Sequence, residues 1–123
     1  DTHIILRGGT KPNHYPEDVR ETIDALNEAE ANDSIMIDVS HGNSQKVFKR
    51  QLENIGVVSK QISDGMNEIR GVMIESHLRE GNQKIGEDLE YGQSVTDACI
   101  HFEDTKQCLS ELSSAVQARR SKS

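Results

Sequence analysis

Three side chains of different chemistry recur at a regular interval along this sequence. Arg7, His41 and Glu75 each follow a short apolar run, and successive members lie 34 residues apart. A neutral imidazole and carboxylates bind divalent cations such as Mn²⁺, Fe²⁺, Co²⁺ or Zn²⁺. A guanidinium holds phosphate through paired hydrogen bonds, and the two glycines after Arg7 would let the backbone come close to it. The interval therefore predicts a site for a metal ion and a phosphorylated ligand.

Taken singly, each of these residues also has an ordinary interpretation. Arg7 could be the solvated end of an edge strand, His41 a hydrogen-bonded loop residue, and Glu75 the partner of a helix cap. The recurrence of three polar residues in one structural position favours the functional interpretation.

Two further acids are candidates for the same site. Asp97, in SVTDACI, could supply a second carboxylate or could be a turn or cap residue. Asp38 lies inside the apolar run IMIDV, where a buried carboxylate must be paired or protonated. We predict that Asp38 either orients a metal ligand or balances a lysine from elsewhere in the fold.

Short strands and amphipathic helices alternate along the chain and would position these residues. Apolar, β-branched runs too short for helices predict strands at 3–6, 35–39 and 71–74. Apolar residues at helical spacing predict helices over 16–30, over 44–63 with Asn43 or Ser44 as its cap, and over about 104–120.

This order predicts an α/β fold of parallel strands joined by right-handed crossovers. The carboxyl ends of such strands carry the active sites of (β/α)₈ barrels. We expect the C-terminal part of a (β/α)₈ TIM barrel, with about three βα units, a long loop at 75–100 and a terminal helix. A loop of that length is usually functional or disordered. Since a barrel needs about 250 residues, the chain would be incomplete on its own.

The composition narrows the class of partner. Only 33% of residues are hydrophobic and 3% aromatic, which is little material for an independent core. The net charge of -7 argues against non-specific binding to nucleic acid or to an anionic membrane. Two cysteines without a CxxC pair indicate a reduced, cytoplasmic chain, and no apolar run approaches a membrane span.

Four stretches resemble the class I 3-deoxy-D-arabino-heptulosonate 7-phosphate (DAHP) synthases: HIILRGG, MIDVSHGNS, GVMIESHLREGNQ and YGQSVTDACIHFEDT. The resemblance implies that residues 1–123 form the C-terminal segment of that family's barrel domain. It also implies the family reaction, in which phosphoenolpyruvate (PEP) condenses with erythrose 4-phosphate to give DAHP and phosphate. This is the first step of the shikimate pathway to the aromatic amino acids.

The resemblance assigns roles residue by residue. It implies that His41, Glu75 and Asp97 bind a divalent metal, with His41 as the neutral imidazole of the catalytic centre. It implies that Arg7 binds the phosphate of PEP. The family's fourth ligand, a cysteine from an early strand, has no counterpart here. We therefore expect the isolated chain to be inactive without the missing N-terminal half of the barrel.

Two other readings remain open on the sequence. The chain could be a non-catalytic half-barrel that forms a homo-oligomer by pairing its open sheet edges. It could also belong to a metal-dependent aldolase of related barrel type that uses another sugar phosphate.

Overall fold

The computed structural model describes residues 1–123, and its parallel strands confirm the predicted α/β order. The strands are β1 (Ile4–Leu6), β2 (Ile35–Asp38), β3 (Ile69–Met73), β4 (Ser76–His77) and β5 (Ile100–His101). The helices are α1 (Pro16–Glu28), α2 (His41–Ser44), α3 (Arg50–Ser63) and α4 (Phe102–Lys122). None of the helices is both long enough and apolar enough to cross a membrane.

Parallel pairing brings the carboxyl ends of the strands to one edge. β2 lies between β1 and β3, with Leu6 opposite Ile37 and Met73 opposite Asp38. β4 and β5 form a second parallel pair. β3 starts at Ile69, two residues earlier than the predicted 71–74. Ile69 is buried and pairs with Ile35, but the exposed Arg70 that follows it interrupts the apolar run.

The core is formed by the sheet and helices α1, α3 and α4. Its fully buried aliphatic side chains come from α1, from β2 and the residue after it, and from α3: Val19, Ile35, Ile37, Val39, Ile55 and Val58. α4 packs on α3 and buries Cys108 and Ala115. Arg119 donates from one guanidinium nitrogen to the carbonyl oxygens of Met66 and Ile69, at 2.8 and 3.1 Å, and so ties α4 to the start of β3.

The helix predicted over 44–63 is wrong at its beginning. Residues 41–44 form the short helix α2, and α3 begins only at Arg50. Between them Gln45 and Lys46 have φ of 51° and 61°, a left-handed backbone that cannot continue a helix. Asn43 is not a helix cap either, since its side chain is buried and bonded to the carbonyls of Leu6 and Asp38.

The segment 75–100 is folded. Gly81 and Cys99 exchange two backbone hydrogen bonds, of 2.8 and 3.1 Å. The side-chain amide of Gln83 donates to the carbonyls of Glu90 and Gln93. These hydrogen bonds fix the conformation of a long segment that has little regular secondary structure.

Candidate metal centre

His41, Glu75 and Asp97 come from three separate parts of the chain and meet at the carboxyl ends of the strands. His41 begins α2, Glu75 lies between β3 and β4, and Asp97 lies just before β5. Nε2 of His41 is 3.4 Å from Oε1 of Glu75 and 3.4 Å from Oδ2 of Asp97. One candidate ligand atom from each residue lies within 4.8 Å of the others.

Asp38 contacts the other ring nitrogen of His41, Nδ1. Its Oδ2 lies 2.7 Å from Nδ1 of His41, and its Oδ1 accepts the backbone N–H of Ser40 at 2.8 Å. The Asp38 side chain is only 1% exposed, and no lysine touches it. Because an ionised carboxylate can only accept, Nδ1 is the donor in this contact, and Nε2 is the ring nitrogen that lies toward Glu75 and Asp97. The contact supports the predicted orienting role of Asp38.

The donor set fits a divalent cation. One imidazole nitrogen and two carboxylate oxygens are ligands shared by Mn²⁺, Fe²⁺, Co²⁺ and Zn²⁺. The carboxylates of Glu75 and Asp97 also place negative charge beside Nε2 of His41, which a dication would neutralise. Asp97 is the most exposed of the three, with 66% of its side chain accessible, so it leaves one side of the cluster open.

Asp38→Asn should weaken Co²⁺ binding about tenfold to a hundredfold. An amide nitrogen facing His41 would donate to Nδ1 and leave the proton on Nε2, which removes the lone pair that a metal needs. Titration with Co²⁺, followed by its visible absorption, measures the change. Asp24→Asn, on the exposed face of α1, is the control. Equal affinities in the two variants would rule out the orienting role of Asp38.

Arg7 lies exposed after β1, but only one of the two glycines that follow it is open to a ligand. Gly8 has φ of +76°, and a Cβ atom there would lie 2.4 Å from the carbonyl carbon of Gly42. A Cβ atom on Gly9 would meet nothing within 4 Å. The prediction that both glycines admit phosphate is therefore wrong for Gly8, which is used for close packing of two backbones.

Asn43 joins the loops that follow β1 and β2. Its Nδ2 donates to the carbonyls of Leu6 and Asp38, at 3.0 and 2.7 Å. Its Oδ1 accepts the backbone N–H of Asn13 at 2.7 Å and lies 3.2 Å from Nδ1 of His14. The sequence reasoning missed this residue because it treated Asn43 as a cap. These bonds hold the segment after β1, which includes Arg7, against the segment after β2, which includes His41.

His14 is buried and neutral in the folded chain. Since Oδ1 of Asn43 only accepts, Nδ1 of His14 carries the proton, and Nε2 is left buried without a partner. Burial lowers the pKa of His14 below its ordinary value of 6.5, against smaller opposing effects of Asn43, Asp18 and Asn54.

The free energy of unfolding should therefore contain a His14 contribution that is lost in acid. As the pH falls below 6.5, the unfolded chain binds a proton that the folded chain resists, so stability declines until the pH reaches the folded-state pKa. Urea unfolding of wild type and His14→Gln across this range measures the effect. The free energy of unfolding of the wild type, minus that of His14→Gln, should decrease as the pH falls. A difference that stays constant would contradict the His14 contribution.

Both cysteines are buried, unpaired and outside the cluster of ligand atoms. Burial and then the Glu75 carboxylate raise the pKa of Cys99, so its thiol keeps its proton at neutral pH. Its sulfur lies 3.9 Å from Oε2 of Glu75. Burial, followed by Glu111, likewise raises the pKa of Cys108.

Fold and site together define a parallel α/β protein with a candidate divalent-metal centre at the carboxyl ends of its strands. Residues 1–110 match the DAHP synthetase I family, and the chain belongs to that family. The stretches that resembled this family in the sequence are thereby confirmed as family sequence.

The relatives are considerably longer than this chain. It is 52% identical over 122 residues to the Phe-sensitive phospho-2-dehydro-3-deoxyheptonate aldolase of Escherichia coli K12. That match covers 98% of this chain and 35% of the relative. It is 48% identical over 119 residues to the Trp-sensitive aldolase of Salmonella typhimurium, covering 95% of the chain and 34% of that relative. The chain thus spans about a third of the length of these curated relatives, and it matches their C-terminal portion.

A solved relative has the same fold over the matched part. The phospho-2-dehydro-3-deoxyheptonate aldolase of Francisella tularensis SCHU S4 superposes with a TM-score of 0.91 at 49% identity. The match covers 95% of this chain and 35% of that structure.

Proposed function

We propose that this chain is the C-terminal segment of the barrel domain of a metal-dependent DAHP synthase. The complete enzyme condenses PEP with erythrose 4-phosphate and releases DAHP and phosphate, in the pathway to the aromatic amino acids. The observation that carries the proposal is the His41–Glu75–Asp97 cluster, found in a chain that is 52% identical to a named DAHP-forming aldolase. Its two unpaired thiols fit a reducing, cytoplasmic setting.

Each polar residue of the site has a distinct task in this proposal. Nε2 of His41 and one carboxylate oxygen each of Glu75 and Asp97 hold the cation. When bound, a divalent cation supplies Lewis-acid polarisation of a carbonyl oxygen. Asp38 keeps the His41 proton on Nδ1, so that Nε2 stays available. Arg7 binds the PEP phosphate and offsets its charge, which places the reacting carbon and supports the loss of phosphate.

The chain by itself does not complete such a site. It offers three candidate metal ligands, together with the guanidinium of Arg7, beside the ends of its short strands. The outer edge of β1 has no partner strand, and Ile4 and Ile5 are 41% and 45% exposed there. A preceding strand from the N-terminal part of the barrel would pair with the backbone of this edge, and the rest of the barrel would cover Ile4 and Ile5 on the two faces of the sheet. We therefore propose that the isolated chain is inactive.

A chimera tests this function directly. The chain would replace the matched C-terminal segment of the Escherichia coli Phe-sensitive aldolase, and the loss of ultraviolet absorbance by PEP would be followed. PEP should disappear only when erythrose 4-phosphate is present, a chelator should stop the reaction, and Mn²⁺ should restore it. Residues 1–123 alone should consume no PEP.

The outcomes separate the alternatives. A folded chimera that consumes no PEP would overturn the proposal, and DAHP formation by the isolated chain would overturn its inactivity. Consumption of PEP with a different aldose phosphate, and not with erythrose 4-phosphate, would favour an aldolase of another specificity.

The free edge of β1 also supports a second candidate, a non-catalytic half-barrel that pairs with a copy of itself. The molecular mass in size-exclusion chromatography distinguishes the two for the isolated chain. A dimer that dissociates when Ile5 is replaced by lysine would favour edge pairing, whereas a monomer argues against it.

A further inference from the structure

We propose that Gln51 is a positioning residue that fixes the metal ligand Glu75 through its backbone. The inference rests on the proposed metal centre and goes beyond it, because Gln51 belongs to helix α3 and is not one of the candidate ligands.

Gln51 binds the backbone of Glu75 at two points. Its Oε1 accepts the Glu75 N–H at 2.9 Å, and its Nε2 donates to the Glu75 carbonyl at 3.1 Å. The Gln51 side chain is 0% exposed, so water does not compete for either bond. One planar amide therefore holds both peptide groups of Glu75, as a neighbouring strand would.

Glu75 needs such support because the regular sheet stops before it. The pairing of β2 with β3 ends at Met73, and β4 begins only at Ser76. The Glu75 carbonyl also accepts the N–H of Ile100 at 3.0 Å, but its own N–H is bonded to Gln51 alone. Without Gln51, this N–H would lose its partner at a break between two strands.

The carboxylate of Glu75 has no strong contact of its own that would fix it. Its oxygens lie 3.4 Å from Nε2 of His41 and 3.9 Å from the sulfur of Cys99, and 27% of the side chain is exposed. The position of the carboxylate before a cation arrives therefore depends on the backbone that carries it. A clamp on that backbone lowers the ordering cost of cation binding.

The same helix offers a matched control in Gln61. Gln61 is also buried, at 4% exposure, and its Nε2 donates to a backbone carbonyl, that of His14, at 2.8 Å. It does not touch Glu75. Gln51→Met and Gln61→Met each remove one buried amide from α3 at similar volume, and only the first removes the clamp.

The test compares Co²⁺ binding by residues 1–123, using the affinity and the visible absorption spectrum of the bound ion. Gln51→Met should bind Co²⁺ about tenfold or more weakly, with an altered spectrum. Gln61→Met should stay within about twofold of the wild type and keep its spectrum. Circular dichroism monitors folding of each variant. If Gln51→Met does not fold, Gln51→Glu keeps the acceptor for the Glu75 N–H and should show a smaller loss with a changed spectrum.

The results distinguish a failure of the positioning role of Gln51 from a failure of the proposed metal centre. Wild-type affinity and spectrum in the folded Gln51 variant, or an equal loss in Gln61→Met, would overturn the positioning role and leave the metal centre intact. A wild-type chain that binds no Co²⁺ would overturn the metal centre, and this inference with it.

Discussion

Replacing His41 with alanine should abolish specific Co²⁺ binding by this chain, with a loss of more than about a hundredfold in affinity. His41 supplies the only nitrogen of the cluster, and Glu75 and Asp97 alone would leave two mutually repelling carboxylates. The same change in the chimera should eliminate PEP consumption. Co²⁺ titration and the PEP assay measure the two effects.

His3→Ala is the control for this experiment, since His3 is exposed near the start of the chain and lies outside the cluster. It should bind Co²⁺ like the wild type. Undiminished Co²⁺ affinity in His41→Ala would show that the ion binds elsewhere and would refute the proposed metal centre at this cluster.

A loss of stability must be separated from the loss of a ligand. His41→Ala leaves the buried carboxylate of Asp38 without its partner at Oδ2, which is costly in a side chain that is only 1% exposed. Adding Asp38→Asn removes the stranded charge, so the double variant should regain stability. It should not regain Co²⁺ binding, and recovery of binding would contradict the direct role of His41.

The second large effect is expected for Gly8→Ala, which should lower the free energy of unfolding by about 3 to 5 kcal/mol. The new Cβ would lie 2.4 Å from the carbonyl carbon of Gly42 and 2.5 Å from the backbone nitrogen of Asn43. The backbone cannot easily withdraw, because Asn43 N–H donates to the Arg7 carbonyl at 3.1 Å. The φ of +76° adds strain for any residue with a side chain.

Gly9→Ala is a matched control one residue away. Its Cβ would meet nothing within 4 Å, so the free energy of unfolding should change by no more than about 0.5 kcal/mol. Urea denaturation monitored by circular dichroism measures both variants. Equal stability of the two would show that the contact between Gly8 and Gly42 is not a tight constraint.

Much of the fold follows from patterns that are local in the sequence. Apolar β-branched runs predicted the three strands of the main sheet to within two residues at their beginnings. Their alternation with helices predicted parallel pairing, because a helical crossover returns the chain in the same direction. The helix predicted over 16–30 is α1, and the one predicted over about 104–120 is α4, since both have a periodic apolar face.

The 34-residue interval also predicted that Arg7, His41 and Glu75 lie at equivalent strand ends. This works because a repeated strand–helix unit places the same position at the same edge of the sheet. The roles of these residues as ligands stay predictions, whereas their placement is observed for His41 and Glu75, which lie 3.4 Å apart.

The contacts that connect these elements could not be predicted in the same way. Gln51 and Asn54 share the buried side of α3 with Ile55 and Val58 at helical spacing, yet the pattern that predicted the helix counted only apolar residues. Hydrogen bonds to backbone groups offset the burial of these two amides, and those backbone partners lie 11 to 24 residues away in the chain.

The sequence by itself thus determined the elements, their parallel order and the strand ends at which chemistry is expected. Only the tertiary structure decided that Oδ2 of Asp97 lies 3.4 Å from Nε2 of His41, that Asp38 contacts Nδ1 of the same ring, and that Asn43 links two segments instead of capping a helix. Hydrophobic periodicity indicates which side of a helix or strand is buried, and it can be read from residues that are close together in the sequence. A hydrogen bond between side chains depends on distance and direction in space, which only the packed chain provides.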